Sequence, residues 1–114
     1  MLDLSSISGK QYYDVRLLDG TELHIQRPTQ AMVEYTLQIQ SLAQDDNKQA
    51  ETINALAQLF TRILNRNTEG KTFQAEAIAE EYDFQTIGYV IEDYFNFWNS
   101  EVNANVNFQQ SQQN

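Results

Sequence analysis

The stretch from Asp83 to Trp98, DFQTIGYVIEDYFNFW, contains the chain's only tryptophan and its densest group of aromatic residues. Read at 3.6 residues per turn, its large apolar side chains fall on one helical face, with Phe84 at the edge. That face consists of Ile87, Val90, Ile91, Tyr94, Phe95 and Trp98. Asp83 suits the N-cap, where a carboxylate accepts a backbone N–H and offsets the helix dipole. The pattern predicts a helix that begins at Asp83, continues past Trp98 and frays between Asn99 and Asn107.

Aromatic residues outside this face make the apolar arc of the helix wider than one packing surface needs. Tyr89 and Phe97 extend the arc, and a domain of 114 residues cannot easily enclose both of them together with Trp98. The arc is therefore either all core or partly an interface with a partner or a second copy. The candidate interface residues are Tyr89, Tyr94, Phe97 and Trp98, with Leu23 and Ile25 from an upstream segment.

The segment QYYDVRLLDGTELHIQ, upstream of this helix, alternates apolar and polar residues on both sides of Asp19-Gly20. Alternation around an Asp-Gly pair is a strong local signal for a β-hairpin, here at about 12–26. Two strands alone are marginally stable in water. The apolar side must lie on a helix or the hairpin must pair with another chain, to which an open edge would be available. That side consists of Val15, Leu17, Leu23 and Ile25.

Two amphipathic helices are predicted between the hairpin and Asn65. Pro28 and Thr29 favour a helix start, because proline is tolerated in a first turn and threonine can cap it. The first stripe is Met32, Tyr35, Ile39 and Leu42, widened by Val33 and Leu37. The second helix, about Lys48 to Asn65, has the stripe Ile53, Leu56, Ala57, Phe60, Ile63 and Leu64, with Leu59 just outside it.

A loop at 65–71 follows, with Gly70 free to adopt a positive φ. A short third helix is predicted from Thr72 or Phe73 to Tyr82. The fold class is mainly α, formally α+β: an N-terminal hairpin followed by three or four helices packed as a small bundle. We expect one domain at 1–102, with a loose lead-in at 1–10, and a flexible Asn/Gln-rich tail at 103–114.

The composition excludes several classes of function. The chain has no Cys, so disulfides and cysteine metal sites are absent. Seven Lys and Arg stand against 16 Asp and Glu, a net charge of -9, which disfavours nucleic-acid binding. Neither a membrane span nor a secretory signal is evident, so we expect a cytoplasmic protein. The acidity serves either solubility or steering toward a basic partner, and sequence does not separate the two.

No catalytic or metal motif is evident, so we predict neither enzyme activity, cofactor, metal nor small-molecule substrate. His24, the only histidine, is out of phase with the apolar strand residues, and Asp14 and Asp19 near it lack a nucleophile motif. The carboxylate pairs at 45–46, 80–81 and 92–93 lack the Glu-x-x-His or calcium-loop patterns of metal sites. Gly88 inside the last helix indicates either close approach by a neighbouring helix or simple tolerance.

Three stretches, LLDGTELHIQRPT at 17–29, ILNRNTEGKTF at 63–73 and DFQTIGYVIEDYFNFW at 83–98, resemble the small tail assembly chaperones of siphophages and prophages of Gram-positive bacteria. The order of hairpin, helices and aromatic final helix is similar too, up to about residue 100. The resemblance implies a non-enzymatic, homo-oligomeric protein that binds the tape measure protein and recruits tail tube subunits during tail growth. It also implies absence from the finished virion, and it transfers no active-site residues.

The residues also allow a different function. A small acidic helical adaptor or regulator that binds one protein partner through the last helix has the same composition and the same spare aromatic surface. The alternative remains open at this level, because the motifs that carry the resemblance are patterns of apolar and polar residues.

Overall fold

The computed structural model describes Met1 and residues 11–113, with side chains described up to Asn99. The elements are strands β1 (Tyr13–Arg16) and β2 (Glu22–Ile25), helix α1 (Gln30–Ala43), a short 3-10 helix (Asp46–Lys48), and helices α2 (Gln49–Leu64), α3 (Ala75–Glu81) and α4 (Phe84–Gln113). The predicted hairpin and helical bundle are therefore confirmed, with four α-helices after the hairpin. The predicted lead-in at 2–10 lies outside the described residues.

The hairpin is antiparallel and pairs Tyr13 with Ile25 and Val15 with Leu23. Its loop is one residue longer than a two-residue Asp-Gly turn. Leu17 N–H donates to Thr21 O at 2.8 Å, and Gly20 N–H donates to Leu17 O at 2.9 Å. Gly20 has a φ of 89°, a left-handed conformation that glycine adopts without steric cost. Three-residue hairpin loops commonly end with such a residue.

The outer edge of β2 is covered by the chain's own 66–68 segment. Gln26 N–H donates to Arg66 O at 3.0 Å, and Thr68 N–H donates to His24 O at 3.0 Å. Buried Asn67 holds this segment in shape, because its amide donates to Leu64 O and Lys71 O at 2.7 and 2.8 Å. This edge of the hairpin is therefore paired within the subunit and not with another chain.

Helix α2 is the centre of the bundle. Helices α1 and α4 both pack against it, and β2 contacts it as well. The hairpin lays Leu17, Leu23 and Ile25 into the same core, as its alternation predicts, while Val15 is half-buried. Burial of such side chains stabilises a fold by about 1.5–3 kcal/mol each.

The predicted stripe of α2 is wrong at two positions. Leu59, placed outside the stripe, is fully buried at 0% exposure, whereas Ile53 is 50% exposed. Most of the buried residues of α2 lie from Ala55 to Leu64. The helix is contacted by more than one element there, so its buried arc is broader than a single-partner stripe.

Side-chain caps fix the starts of α1 and α4. Thr29 Oγ1 accepts Met32 N–H at 3.2 Å, and Asp83 Oδ1 accepts Thr86 N–H at 2.7 Å, as predicted for both residues. The hydrogen bond from Thr86 lowers the pKa of Asp83. The third helix is shorter than predicted, because Asn65 instead holds the backbone of Phe73 through two hydrogen bonds of 2.7 and 3.1 Å.

The backbone of α4 is helical to Gln113, beyond the region where fraying is predicted. The proposed boundary near residue 102 therefore does not coincide with the end of a secondary-structure element. Whether 103–114 is flexible stays a prediction, and Asn114 lies outside the described residues.

Candidate protein-binding groove

A groove runs between α1 and α4, with α2 as its floor. It exists because α1 and α4 pack mainly on α2 and not on each other. The space enclosed is about 680 Å³. Along α1 the lining extends from Val33 to Gln40, and along α4 from Gly88 to Asn99. These are two and three helical turns, or about 10 and 16 Å at a rise of about 1.5 Å per residue.

Apolar side chains dominate the groove. Leu56 and Leu59 line it from α2, and Ile91 and Phe95 line it from α4. The α1 wall contributes Leu37, which is 60% exposed, together with the exposed Val33 and the buried Ile39. The exposed leucine and valine lie beside an apolar floor. Covering this surface with another apolar surface removes it from water, which is favourable.

Gly88 lies in the α4 wall. A Cβ at this position would meet no described heavy atom outside its own helix and sequence neighbours within 4 Å. Close approach by a neighbouring helix, one of the two interpretations of this glycine, is therefore not the reason for it within the described residues. The absence of a side chain instead leaves the groove wider at this turn of α4.

Polar and charged groups lie among the apolar lining. Trp98 is buried at one end of the groove, and the Arg27 guanidinium carbon lies 5.4 Å from the Trp98 ring centroid, a cation–π distance. Glu92 projects from α4, and Gln40, Asn96 and Asn99 add amide groups. Glu92 is in no ion pair among the residues whose side chains are described.

The charges are unevenly distributed along the chain, because every charged residue after Lys71 is a carboxylate. Helices α3 and α4 therefore contain no cation. Glu92 and Asp93 are both exposed, although Asp93 also accepts a hydrogen bond from Tyr13 Oη at 2.6 Å. Of this pair, Glu92 lines the groove, and the other charged residue of the lining is Arg27.

The six predicted interface residues fall into two groups. Leu23, Ile25, Tyr94 and Trp98 are buried within the subunit and present no free surface to a partner in this conformation. Phe97 is half-buried, whereas Tyr89 is 70% exposed. The structure thus encloses most of the arc that the sequence left open, while Tyr89 stays largely outside it and Phe84, at its edge, is 50% exposed.

Hydrogen bonds explain how these rings are enclosed. Tyr94 Oη donates to Gln26 O at 2.6 Å, so the buried hydroxyl is satisfied. Tyr13 packs edge-to-face on Tyr94 and Phe97 at centroid distances of 5.3 and 5.7 Å. Burial raises the pKa of both Tyr13 and Tyr94, and the Asp93 carboxylate raises that of Tyr13 further. The hairpin thereby covers one side of α4.

His24 lies between two carboxylates on the outer surface of the hairpin. Its Nδ1 lies 2.7 Å from Glu69 Oε2, and its Nε2 lies 3.7 Å from Asp14 Oδ1. The hydrogen bond to Glu69 raises the pKa of His24, and hydrogen bonds from His24 lower the pKa of Glu69 to about 2. Both imidazole nitrogens face carboxylates, so the cluster ties the hairpin to the 66–69 loop. Sequence reasoning identified Asp14 but missed Glu69, which is distant in sequence.

Neither a metal-binding cluster nor a membrane-spanning helix is found in the described part of the chain. No group of three or more His, Cys, Asp or Glu side chains is placed there to hold a metal ion. No helix in that part has an apolar stretch that could cross a bilayer.

Sequence reasoning missed the groove itself. A signal was present, since Val33 and Leu37 make the apolar stripe of α1 wider than one contact requires. The aromatic arc of α4 has the same width and is largely covered, so stripe width alone does not distinguish core from groove.

No protein-family model, curated protein or solved structure matches this chain.

Proposed function

We propose that this protein is a non-enzymatic tail assembly chaperone of a siphophage or prophage. In this proposal it acts in the host cytoplasm, binds the tape measure protein, recruits tail tube subunits and is absent from the mature virion. The specific identity rests on the resemblance of the segments at 17–29, 63–73 and 83–98. The broader role, reversible binding of another protein, is supported by the fold.

The groove between α1 and α4 is the observation that carries the proposal. It combines exposed apolar side chains with the exposed Glu92, on a chain of net charge -9. A chaperone for an assembling structure needs apolar surface that is accessible in the free state, and net charge keeps such a surface soluble. The same combination supports a small acidic adaptor that binds one partner, which remains the second candidate.

Co-expression with the tape measure and tail tube proteins of the same phage tests the proposal. We expect the chain to co-purify with one or both, and to self-associate in light scattering, as the resemblance implies. A chain that stays monomeric at high concentration and captures neither protein would remove the chaperone assignment.

The order of the flanking genes separates the two candidates. A chaperone gene is expected between the tube and tape measure genes, whereas an adaptor has no such constraint. A DNA mobility-shift assay at moderate salt serves as a control, and we expect no shift, because the acidic surface repels phosphates.

A further inference from the structure

We propose that the α1–α4 groove binds one basic amphipathic α-helix from a partner protein. This inference rests on the proposed function, because it specifies the kind of segment that the chaperone or adaptor would hold. The occupant is defined by three properties of the groove: its shape, its apolar anchors and its charge.

The shape fits a helix of a few turns. Two helices form the walls and a third forms the floor, over about two turns of α1 and three turns of α4. A helix laid in such a groove is held by apolar residues at i, i+3, i+4 and i+7, as in other helix-in-groove complexes. A helix also satisfies its own backbone hydrogen bonds, which suits a lining with few backbone partners to offer.

The apolar anchors lie on both walls. Leu37 and Val33 on α1 are exposed, and Phe95 on α4 is half-buried, so each has surface left to cover. Gly88 leaves room for a large side chain of the occupant, since no described neighbour lies within 4 Å of the position of a Cβ. Leu56 and Leu59 supply an apolar floor beneath these contacts.

The charge specifies a basic occupant. Glu92 points from the α4 wall with no ion-pair partner among the described side chains, and α4 has no cation in its sequence. Arg27, the one cation of the lining, lies at the Trp98 end with its guanidinium on the indole ring. Lys or Arg on the polar face of the occupant would complement Glu92 and the net charge of -9 of the chain.

A second copy of this chain does not meet that requirement. Helices α1, α3 and α4 contain carboxylates but no Lys or Arg, so each would bring more negative charge to the groove. Helix α2 contains Arg62, but it forms the floor of the bundle and its Phe60, Ile63 and Leu64 are buried in the core. The occupant is therefore a different protein.

Trp98 allows the binding to be measured directly. Trp98 is the only tryptophan, and it lies at the groove. Its fluorescence emission therefore reports whether the groove is occupied. The probes are three tryptophan-free synthetic peptides about three helical turns long. The first has leucines on one helical face and lysines elsewhere, the second replaces each lysine with glutamate, and the third scrambles the first.

We expect the first peptide to shift Trp98 emission saturably, with an affinity that falls as salt rises. The glutamate and scrambled peptides should give no saturable shift. Equal binding by the scrambled peptide would mean general charge attraction, and equal binding by the glutamate peptide would remove the charge argument. No saturable response to the lysine peptide would overturn the proposal.

Matched variants locate the binding. Leu37→Gln, in the groove, should lower the affinity for the lysine peptide by about tenfold, which is the effect of losing one anchor side chain. Ile53→Gln, which changes a similarly exposed helical residue outside the lining, should leave the affinity within about twofold. Glu92→Gln should weaken binding by about twofold to fivefold, and less at high salt. Circular dichroism should show unchanged helix content in all three variants, and equal effects of Leu37→Gln and Ile53→Gln would contradict a groove site.

The two proposals fail in different ways. Capture of a tail protein that Leu37→Gln does not weaken would end the groove inference and leave the chaperone assignment standing. Saturable peptide binding that depends on Leu37, without capture of either tail protein, would end the chaperone assignment and leave the groove inference standing. That result would favour the adaptor.

Discussion

The two sides of helix α4 differ in what covers them. Toward the hairpin, Tyr94 is fully enclosed, its hydroxyl donates to Gln26 O, and Tyr13 packs on its ring. Toward α1, Gly88 and Phe95 line an open groove. Both sides are apolar, and both were part of one continuous arc in the sequence. The comparison shows that an apolar surface becomes core or site according to which element reaches it.

Connectivity explains the asymmetry. The 66–68 segment and β2 are hydrogen-bonded to each other, which fixes the hairpin over one side of α4. Helix α1 instead connects to α2 through the short 3-10 helix and packs on α2. No described element lies between α1 and α4 on the other side, so Leu56 on the floor stays partly exposed there.

Replacing Tyr94 with alanine tests the covered side and should have the largest effect. The change removes a fully buried ring and its hydrogen bond, and we expect a loss of about 3–5 kcal/mol in the free energy of unfolding. Urea denaturation followed by circular dichroism measures it. Tyr89→Ala is the control on the same helix, since its ring is 70% exposed and the expected change is within about 0.5 kcal/mol. Similar losses for the two variants would mean that the covered side is not the stabilising one.

Replacing Gly88 with alanine tests the open side, and we expect it to raise the free energy of unfolding, whereas Tyr94→Ala lowers it. A Cβ there meets no described atom of another element within 4 Å, so the substitution should raise helix propensity without a clash and stabilise the fold by about 0.5–1 kcal/mol. The thermal unfolding midpoint should rise accordingly. Gly20→Ala provides the contrast, because its φ of 89° strains any other residue and the same substitution should destabilise. A destabilising Gly88→Ala would indicate that the groove is closed in solution.

The pH dependence of His24 tests how firmly the hairpin is held over the covered side, and its effect is the smallest. Glu69 has a pKa of about 2 in the folded protein against an ordinary value of 4.5. Its contribution to the free energy of unfolding is therefore present above about pH 4.5 and is lost as the pH falls toward 2. His24 has a raised pKa in the folded protein. Its contribution to the free energy of unfolding is therefore complete below pH 6.5 and is lost as the pH rises through the pKa of the folded state. The pair therefore stabilises the hairpin most between 4.5 and 6.5.

The single histidine makes this titration simple to follow by NMR. We expect the imidazole of His24 to titrate above 6.5, and Glu69→Gln to bring the midpoint back toward that value. An unchanged midpoint in the variant would show that Glu69 does not hold the ring. Asp14→Asn is the matched control and should move the midpoint less, because the Asp14 carboxylate lies 3.7 Å from the ring and the Glu69 carboxylate 2.7 Å.

Local signals predicted local structure well. Thr29 and Asp83 cap the helices that they were expected to cap, and Gly20 and Gly70 have the positive φ values that their loops require. These features depend on a few neighbouring residues, so periodicity and turn chemistry are sufficient to find them. Contacts between distant segments were less accessible, and Glu69 at His24 is one that no local pattern indicates.

The sequence by itself determined the hairpin, the amphipathic helices, the acidity after Lys71 and the excess of apolar surface, because each follows from spacing and composition along the chain. Only the tertiary structure decided which of that surface is enclosed. Tyr94 and Trp98 became core, and the gap beside Leu37 and Gly88 became the groove. The reason is physical: burial depends on which segments meet in space, and that depends on the packing of every element on α2 rather than on the period of any one of them.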